Sequence, residues 1–339
     1  MLLESSRGIK DKKILEVHEE REDIYMEEKV LYSMESPFQQ EINVKGYYFG
    51  KNEGKERSAC IVGALRGNEY QQLYICSKLI DVLKKIEKHG DIVGENGVLV
   101  IPSVSNMSMD FGKRFWISDD TDLNRLFPGN PSGESGSRVA YAIMETTKGY
   151  RYGIHLPSFY LGGTFMPHIR LLDPEHGSTS LANLFGLPYV IEAKSRPFDR
   201  TTLHNNWQRN GTEAFSLYTG MTGKIDDELA VQAVSSILRF LTRMGIIRYY
   251  SHSGYIASVL KEGDLEPIMT EAAGIFIKKA ECGQEVSRGD VLAQIMKADS
   301  GEIISEVKAP TDGIIFYAET RPVVYSNLLV FQIIKRIHL

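Results

Sequence analysis

The chain has 339 residues, 42% of them apolar and 24% charged, with a formal net charge of −5; that length sets a prior of about two domains. Its Lys and Arg are scattered without a dense basic stripe, which argues against a nucleic-acid partner. No stretch approaches the roughly 18 apolar residues of a membrane span, and the charged run from Met1 to Met34 lacks the apolar centre of a signal peptide. Cys60, Cys76 and Cys282 form no CxxC pair, so a reduced, cytoplasmic setting is expected.

Residues 1–40 read as a charged extension, mixed in sign between Lys10 and Lys29, to which no function attaches. Ile42 to Phe49 alternates enough to be a strand, expected to pair with the next one across the polar loop Gly50 to Arg57. That next strand is Ser58-Ala-Cys-Ile-Val-Gly63, a short apolar run closed by glycine. Leu73, Cys76, Leu79, Ile80, Leu83 and Ile86 then recur at three- and four-residue spacing, which predicts a helix with one inward face. Between strand and helix lies the loop Arg66-Gly67-Asn68-Glu69, with Glu69 in the first helical turn. Open α/β sheets carry their sites at such a carboxyl edge.

Val98 to Pro102 is a second buried strand, and the segment Asn106 to Gly129 after it is long for a loop, hence a functional candidate. It carries Lys113-Arg114-Phe115-Trp116 and Asp122-Leu-Asn-Arg-Leu-Phe-Pro-Gly129. A guanidinium presents paired donors that match a carboxylate, and a neighbouring amide fixes its orientation, a task that suits Arg125 and Asn124. The same spacing fits a structural tether from Arg125 to Asp119, Asp120 or Asp122. Ser135 to Thr147 predicts a helix, Tyr152-Gly-Ile-His-Leu156 a strand, Thr179 to Phe185 a short helix, and Leu187 to Ile191 another strand. A lone strand-end histidine such as His155 is more often structural than a ligand. Arg196 to Asn210 reads as a polar loop holding His204 and Trp207, and Ala214 to Gly220 as a strand. The amphipathic helix Asp226 to Met244 closes a first domain spanning residues 41–249. From 250 to 339 the pattern shifts to short, glycine-punctuated strands.

Over roughly residues 40–335 these motifs resemble the succinylglutamate desuccinylase and aspartoacylase family, a branch of the zinc carboxypeptidase superfamily. There the first loop reads His-Gly-Asn-Glu or His-Gly-Asp-Glu, and its His and Glu bind zinc. In this chain Glu69 matches and Arg66 replaces the histidine. Asp122-Leu-Asn-Arg resembles the family's Asp-Leu-Asn-Arg-x-Phe signature, which implies that Asn124 and Arg125 hold a substrate carboxylate; Arg114 matches a further arginine near the scissile group. Tyr152 to Leu156 is similar to a strand ending in Asp-Leu-His, which gives His155 the remaining ligand position and puts Gly153 where the supporting Asp belongs. The strand from Ala214 resembles one ending in Thr-x-Glu-x-Gly, whose Glu is the general base. Tyr218 occupies that position, and Glu213, five residues earlier, faces the other side of the strand.

The resemblance implies an α/β fold, a zinc-carboxypeptidase-like mixed sheet flanked by helices. A small all-β barrel-sandwich domain of the biotinyl/lipoyl type follows over residues 250–339. Its hairpin tip falls near Asp299 with Lys297 two residues away, so no modified lysine is expected.

Two functional readings follow. In the first the chain is a zinc-dependent hydrolase, a deacylase or amidohydrolase, that cleaves an amide bond of a carboxylate-bearing N-acyl amino acid or peptide-like substrate. Glu69 and His155 are then metal ligands, Arg114 and Tyr218 stand at the scissile group, and a third ligand is unassigned. In the second, Arg66 takes the ion's place, pairs with Glu69, and joins Arg114 and Arg125 in a metal-free cationic pocket for an acidic small molecule or peptide terminus. Arginine has no lone pair to offer a metal, which motivates the second reading. No membrane partner is expected; a homo-oligomer is allowed.

Overall fold

A computed structural model describes residues 26–36, 39–51, 57–159, 162–173 and 179–336. The apolar runs form strands β1 (Glu27–Glu35), β2 (Glu41–Gly50), β3 (Arg57–Ala64), β4 (Gly97–Ser103), β5 (Tyr150–His155), β6 (Thr164–Leu172), β7 (Tyr189–Ala193), β8 (Glu213–Gly220) and β9 (Ser258–Lys261). Between them lie helices α1 (Tyr70–Lys88), α2 (Asn106–Asp110), α3 (Ser135–Thr147), α4 (Thr179–Asn183), α5 (Leu203–Arg209) and α6 (Asp227–Arg243). The C-terminal segment adds β10 (Leu265–Met269), β11 (Gly274–Lys278), β12 (Glu285–Val286), β13 (Val291–Met296), β14 (Ile303–Lys308), β15 (Gly313–Ala318), β16 (Val323–Val324) and β17 (Leu329–Lys335).

One large mixed sheet runs β1-β2-β4-β3-β5-β8-β6-β15-β17-β10, with β7 on β6, β9 on β7 and β12 on β15. Its centre is parallel: β3 pairs with β4 and β5, and β5 with β8. Alternate side chains of a strand enter opposite layers. Ala59 and Ile61 join the apolar core under α1 and α6, whereas Cys60 and Val62 join the core under α3 and α5. Tyr152 and Ile154 also enter the first layer, which leaves Gly153 and His155 on the second.

Three expectations change. Strand β2 pairs with β1 and β4, with Tyr47 opposite Val100, instead of with β3. The α1 crossover sets β4 in parallel beside β3, and that position is then taken. Part of the expected extension is edge strand β1, because Leu31, Tyr32 and Met34 pack on the second core; its residues 1–25 lie outside the described residues. Arg196 to Asn210 is not a loop. A 3-10 turn, Pro197–Thr201, leads into α5, whose start is capped by Thr202 Oγ1 accepting from the Asn205 N–H at 3.3 Å. Only Leu203 and Trp207 anchor this short helix in the core, too few residues to read as a periodic stripe.

Near residue 250 the composition changes but the large sheet does not end. Strand β15 pairs with β6, Tyr317 opposite Phe165, so β15, β17 and β10 prolong it. A separate antiparallel sheet, β14-β13-β11-β16, packs on this prolongation through Phe276, Ile295 and Phe331. The opposite face of the prolongation carries Leu265, Phe316 and Tyr317 toward the first half of the chain.

Candidate functional site

After β3 the chain turns through Leu65 to Asn68 before α1 opens, which sets Arg66 and Glu69 at the carboxyl edge of the parallel strands. A Cβ on Gly67 would lie 2.3 Å from the Lys113 carbonyl oxygen, so this loop packs directly on the segment that carries Arg114. Glu69 is fully buried at the N-cap of α1. Its Oε2 accepts from the backbone N–H groups of Leu65 (2.8 Å) and Arg66 (2.9 Å). Its Oε1 accepts from Ser158 N (3.2 Å), Ser158 Oγ (2.5 Å) and Arg66 Nη1 (3.1 Å). Five donors exceed the roughly four lone-pair sites of a carboxylate.

Arg66 is only 5% exposed. Its Nε and Nη2 donate to the two oxygens of Asp122 at 2.9 and 2.8 Å, a bidentate pair. Its Nη1 is spent on Glu69 and, at 3.4 Å, on Ser158 Oγ. Burial works against the guanidinium charge, but the carboxylates of Glu69 and Asp122 outweigh it and raise the arginine pKa. The loop carboxylate thus tethers an arginine, though it is Arg66 and not Arg125.

Around this network opens a cavity of about 490 Å³, within the usual range for small-molecule sites. Arg114, Asn124 and Arg125 line it from the long loop, and His155, His204, Ser216 and Tyr218 from the strand ends and α5. Arg114 and Arg125 have no carboxylate partner among the described residues. Arg125 Nη1 donates to the Asn124 carbonyl at 3.2 Å and its guanidinium lies over Phe198, with 5.3 Å to the centroid. Arg114 lies near Phe115 at 5.8 Å; burial, and next the charge of Arg66, lower its pKa. Asn124 Oδ1 accepts from the Leu203 N–H at 3.1 Å, which fixes the motif to α5.

Three buried imidazoles, His155, His168 and His204, belong to this region. Burial, then the positive charge of Arg66, push His155 well below the ordinary histidine value, and burial brings His168 and His204 down to about 3. All three are neutral at pH 7, and each has an Nε2 atom with no hydrogen-bond partner. His204 Nδ1 faces Ser216 Oγ at 2.8 Å. His168 Nδ1 donates to the Met166 carbonyl at 2.8 Å, and its ring stacks on Tyr218 with centroids 5.0 Å apart. Burial raises the Tyr218 pKa, which makes this phenol a hydrogen-bond donor and a poor base.

The side chains present do not fit the family's zinc ion. Glu69 is saturated by hydrogen bonds, a cation lies against its Oε1, and His155 is the one other residue expected to ligate. Among the described residues no group of three or more His, Cys, Asp or Glu side chains is arranged to hold a metal. Of the residues singled out in the sequence, Arg66, Arg114, Asn124, Arg125, His155 and Tyr218 line one cavity, with Glu69 buried behind Arg66 and Ser158; sequence reasoning did not single out Ser158 or Ser216. Ser158 sits three residues beyond His155 at the exit of β5, a spacing that could have drawn attention to it. It also missed the far wall, where Ile191, Leu265, Pro267, Phe316 and Leu329 line the same cavity.

Comparison with known proteins bears on this arrangement. Residues 55–244 match the family model described as the succinylglutamate desuccinylase/aspartoacylase catalytic domain. The N-α-acetyl-L-2,4-diaminobutyric acid deacetylase of Halomonas elongata is 23% identical over 291 residues, 77% of each chain. The product-bound ectoine utilization protein EutE (DoeB) of Ruegeria pomeroyi superposes with a TM-score of 0.76 at 18% identity, covering 92% of this chain and 95% of that one. A succinylglutamate desuccinylase from a Silicibacter species gives 0.76 at 17% identity, covering 91% and 95%. At these identities the two structures establish the fold.

Proposed function

The chain belongs to the succinylglutamate desuccinylase/aspartoacylase family, a family of deacylating hydrolases, and from that premise we propose that its pocket receives a carboxylate-bearing amide, an N-acyl amino acid or a peptide-like molecule, for hydrolysis. One observation carries this reading: Arg114 and Arg125 line a half-buried cavity and have no carboxylate partner among the described residues. A guanidinium left unneutralised in such a place is suited to a carboxylate from outside. In this reading Arg125 and Arg114 grip the ligand carboxylate and Asn124 sets the loop that bears them. Tyr218 donates to the oxygen of the amide as charge develops there. Arg66, with four of its five N–H groups engaged, adds a fixed positive charge.

Turnover and binding of a panel of N-acyl amino acids, by wild type and Arg125→Ala, test the proposal. Loss of a charge-assisted pair is worth about 10- to 100-fold in affinity or kcat/KM. The melting temperature should barely move, since among the described residues Arg125 makes a hydrogen bond to Asn124 and a ring contact with Phe198 and has no ion pair. Unchanged affinity, or a large loss of stability instead, would make Arg125 structural.

A second reading keeps the ligand and removes the chemistry: a binding protein that takes no metal and does not turn its ligand over. The Arg66–Glu69–Asp122 network favours it, because a zinc-dependent mechanism has no free carboxylate there to hold an ion. The panel separates the two readings, since binding without release of free amine belongs to the second. In either case the β-rich segment from residue 250 reads as an unmodified barrel-sandwich of the biotinyl/lipoyl type, with Lys297 paired to Asp299 at 3.4 Å. No helix among the described residues is long and apolar enough to cross a membrane, and a cytoplasmic setting remains the expectation from the cysteine pattern.

A further inference from the structure

The pocket has two chemically different ends. Of the loop cations, Arg114 lies beside the loop that follows β3, its carbonyl accepting from the Gly67 N–H, and Arg125 lies over Phe198, while Phe316 comes from β15, Leu329 from β17, and Leu265 and Pro267 from β10. Residues 265 and 267 share one face of β10, and Pro267 stands opposite Gln332 in the register with β17. The sheet order places β15 four strand steps from β3 and β17 five. At about 4.8 Å per step that is roughly 19 to 24 Å along the sheet.

Near this far wall two guanidiniums, Arg170 and Arg196, face two carboxylates, Glu262 and Asp199, the latter accepting from the Arg196 backbone N–H at 2.9 Å. Arg170 Nη2 lies 2.5 Å from Glu262 Oε1, and Arg196 Nη2 lies 3.4 Å from Glu262 Oε2. A second ligand carboxylate placed there would meet Glu262 as well as the arginines. The two unmatched guanidiniums, Arg114 and Arg125, are both on the loop side.

Resting on the carboxylate-binding reading above, we propose that the ligand is a monocarboxylate whose acyl arm is long and apolar, laid against Ile191, Leu265, Pro267, Phe316 and Leu329. An acetyl group is too short to span from the β3 end, where Arg114 lies, to this wall. A succinyl group would bring a charge that the wall does not receive. The C-terminal strands are then the specificity element of the site, setting the length and polarity of the arm.

Isothermal titration of the full chain with four probes tests this: N-acetyl-L-alanine, N-octanoyl-L-alanine, N-succinyl-L-alanine and octanamide. The octanoyl acid should bind at least about 10-fold tighter than the acetyl acid, in line with the burial of several methylenes. The succinyl acid should bind no tighter than the acetyl acid, and octanamide should bind about 10-fold or more weaker than the octanoyl acid. Leu329→Asn, at a partly exposed position, should bring the octanoyl-to-acetyl ratio close to one. Pro267→Glu, at an exposed position, should do the same if the first variant fails to fold. Equal affinity for the acetyl and octanoyl acids, a preference for the succinyl acid, or an unchanged ratio in both variants would overturn the apolar arm and leave the carboxylate reading standing. Octanamide binding as tightly as the octanoyl acid would overturn the carboxylate reading instead. Binding of none of the three acids would overturn both.

Discussion

Replacing Arg66 by histidine separates a metal-dependent site from a metal-free one. A zinc ion on Glu69 Oε1 would sit about 2.1 Å from that oxygen, and Arg66 Nη1 lies 3.1 Å from the same atom. The ion and the guanidinium nitrogen would therefore be no more than about 5.2 Å apart. At an effective dielectric near 20, a dication and a unit charge at that distance repel by at least about 6 kcal/mol. That is between four and five powers of ten in Kd, before Glu69 gives up any of its five hydrogen bonds. Wild-type protein is accordingly expected to hold almost no zinc.

Arg66→His removes the repulsion, frees one oxygen position of Glu69, and supplies an imidazole beside Glu69 and His155. The assay is elemental mass spectrometry of protein purified without chelator or affinity tag, followed by zinc titration. Wild type should stay below about 0.1 ion per chain and the variant should tighten by about 1,000-fold or more, most of the electrostatic cost just derived. One zinc per wild-type chain would mean that Arg66 swings out of the pocket. No gain in the variant would mean that the site has lost its ligand geometry, and the reasoning from Arg66 would fail.

Other perturbations follow from the same contacts. Arg66→Met strands the buried Glu69 with four donors and no counter-charge. The low end of the cost of breaking a buried pair applies, about 3 kcal/mol, which for a chain of 339 residues a scanning melt should read as a fall of about 4 °C; an unchanged melt would show that the pair adds nothing. His168 and His204 titrate near 3 in the folded chain and near 6.5 when unfolded. Between those values the unfolded chain binds more protons, so stability is fully present above about pH 6.5 and is lost as pH falls, by up to about 1.4 kcal/mol per unit per histidine. His155 is lowered as well, so chemical denaturation at pH 7 and pH 5 should show the loss, His168→Asn should remove about a third of it, and equal stability at both pH values would rule it out. At Gly153 a Cβ would meet the Trp207 ring at 2.5 Å, so Gly153→Asp should cost several kcal/mol, at or above the ~1–3 kcal/mol of ordinary overpacking. Wild-type denaturation of that variant would contradict the close approach.

The sequence reveals contacts close along the chain better than contacts across it. The strand–loop–helix around Arg66 and Glu69, helix α3 and helix α6 were legible because period and capping are local signals. The pairing of Arg66 with Glu69, three residues on, was read from the sequence; its bidentate partner was not, because Asp122 lies 56 residues away and its neighbours offered Arg125 as an equally good tether. The same limit hid the far wall of the pocket. Nothing in the short strands after residue 250 announces that β15 pairs with β6 and so brings Phe316 and Leu329 to a cavity begun at β3. Helix α5 was lost for the opposite reason, too few residues to show a period at all.

The departures from the family's residue pattern are packed in as a set. Arg66 is satisfied by Asp122, Glu69 and Ser158. The space opened by Gly153 is closed by the Trp207 indole, whose Nε1 donates to Thr147 Oγ1 at 2.9 Å. Tyr218 is held between the His168 and Phe159 rings, at 5.0 and 4.5 Å. A metal site that had merely lost one ligand would leave its carboxylate without a counter-charge and its supporting position empty. Here those places are filled, and the buried polar atoms left without partners among the described residues include Asn68 Oδ1 of the loop and the Nε2 atoms of His155, His168 and His204. An unsatisfied buried group costs about 1–3 kcal/mol, and His155 and His204 line the cavity between the loop arginines and the apolar wall. Their Nε2 atoms are themselves sealed from solvent, so the case for a ligand in this pocket rests on the loop guanidiniums of Arg114 and Arg125, which line the cavity, even where the site is not built for zinc.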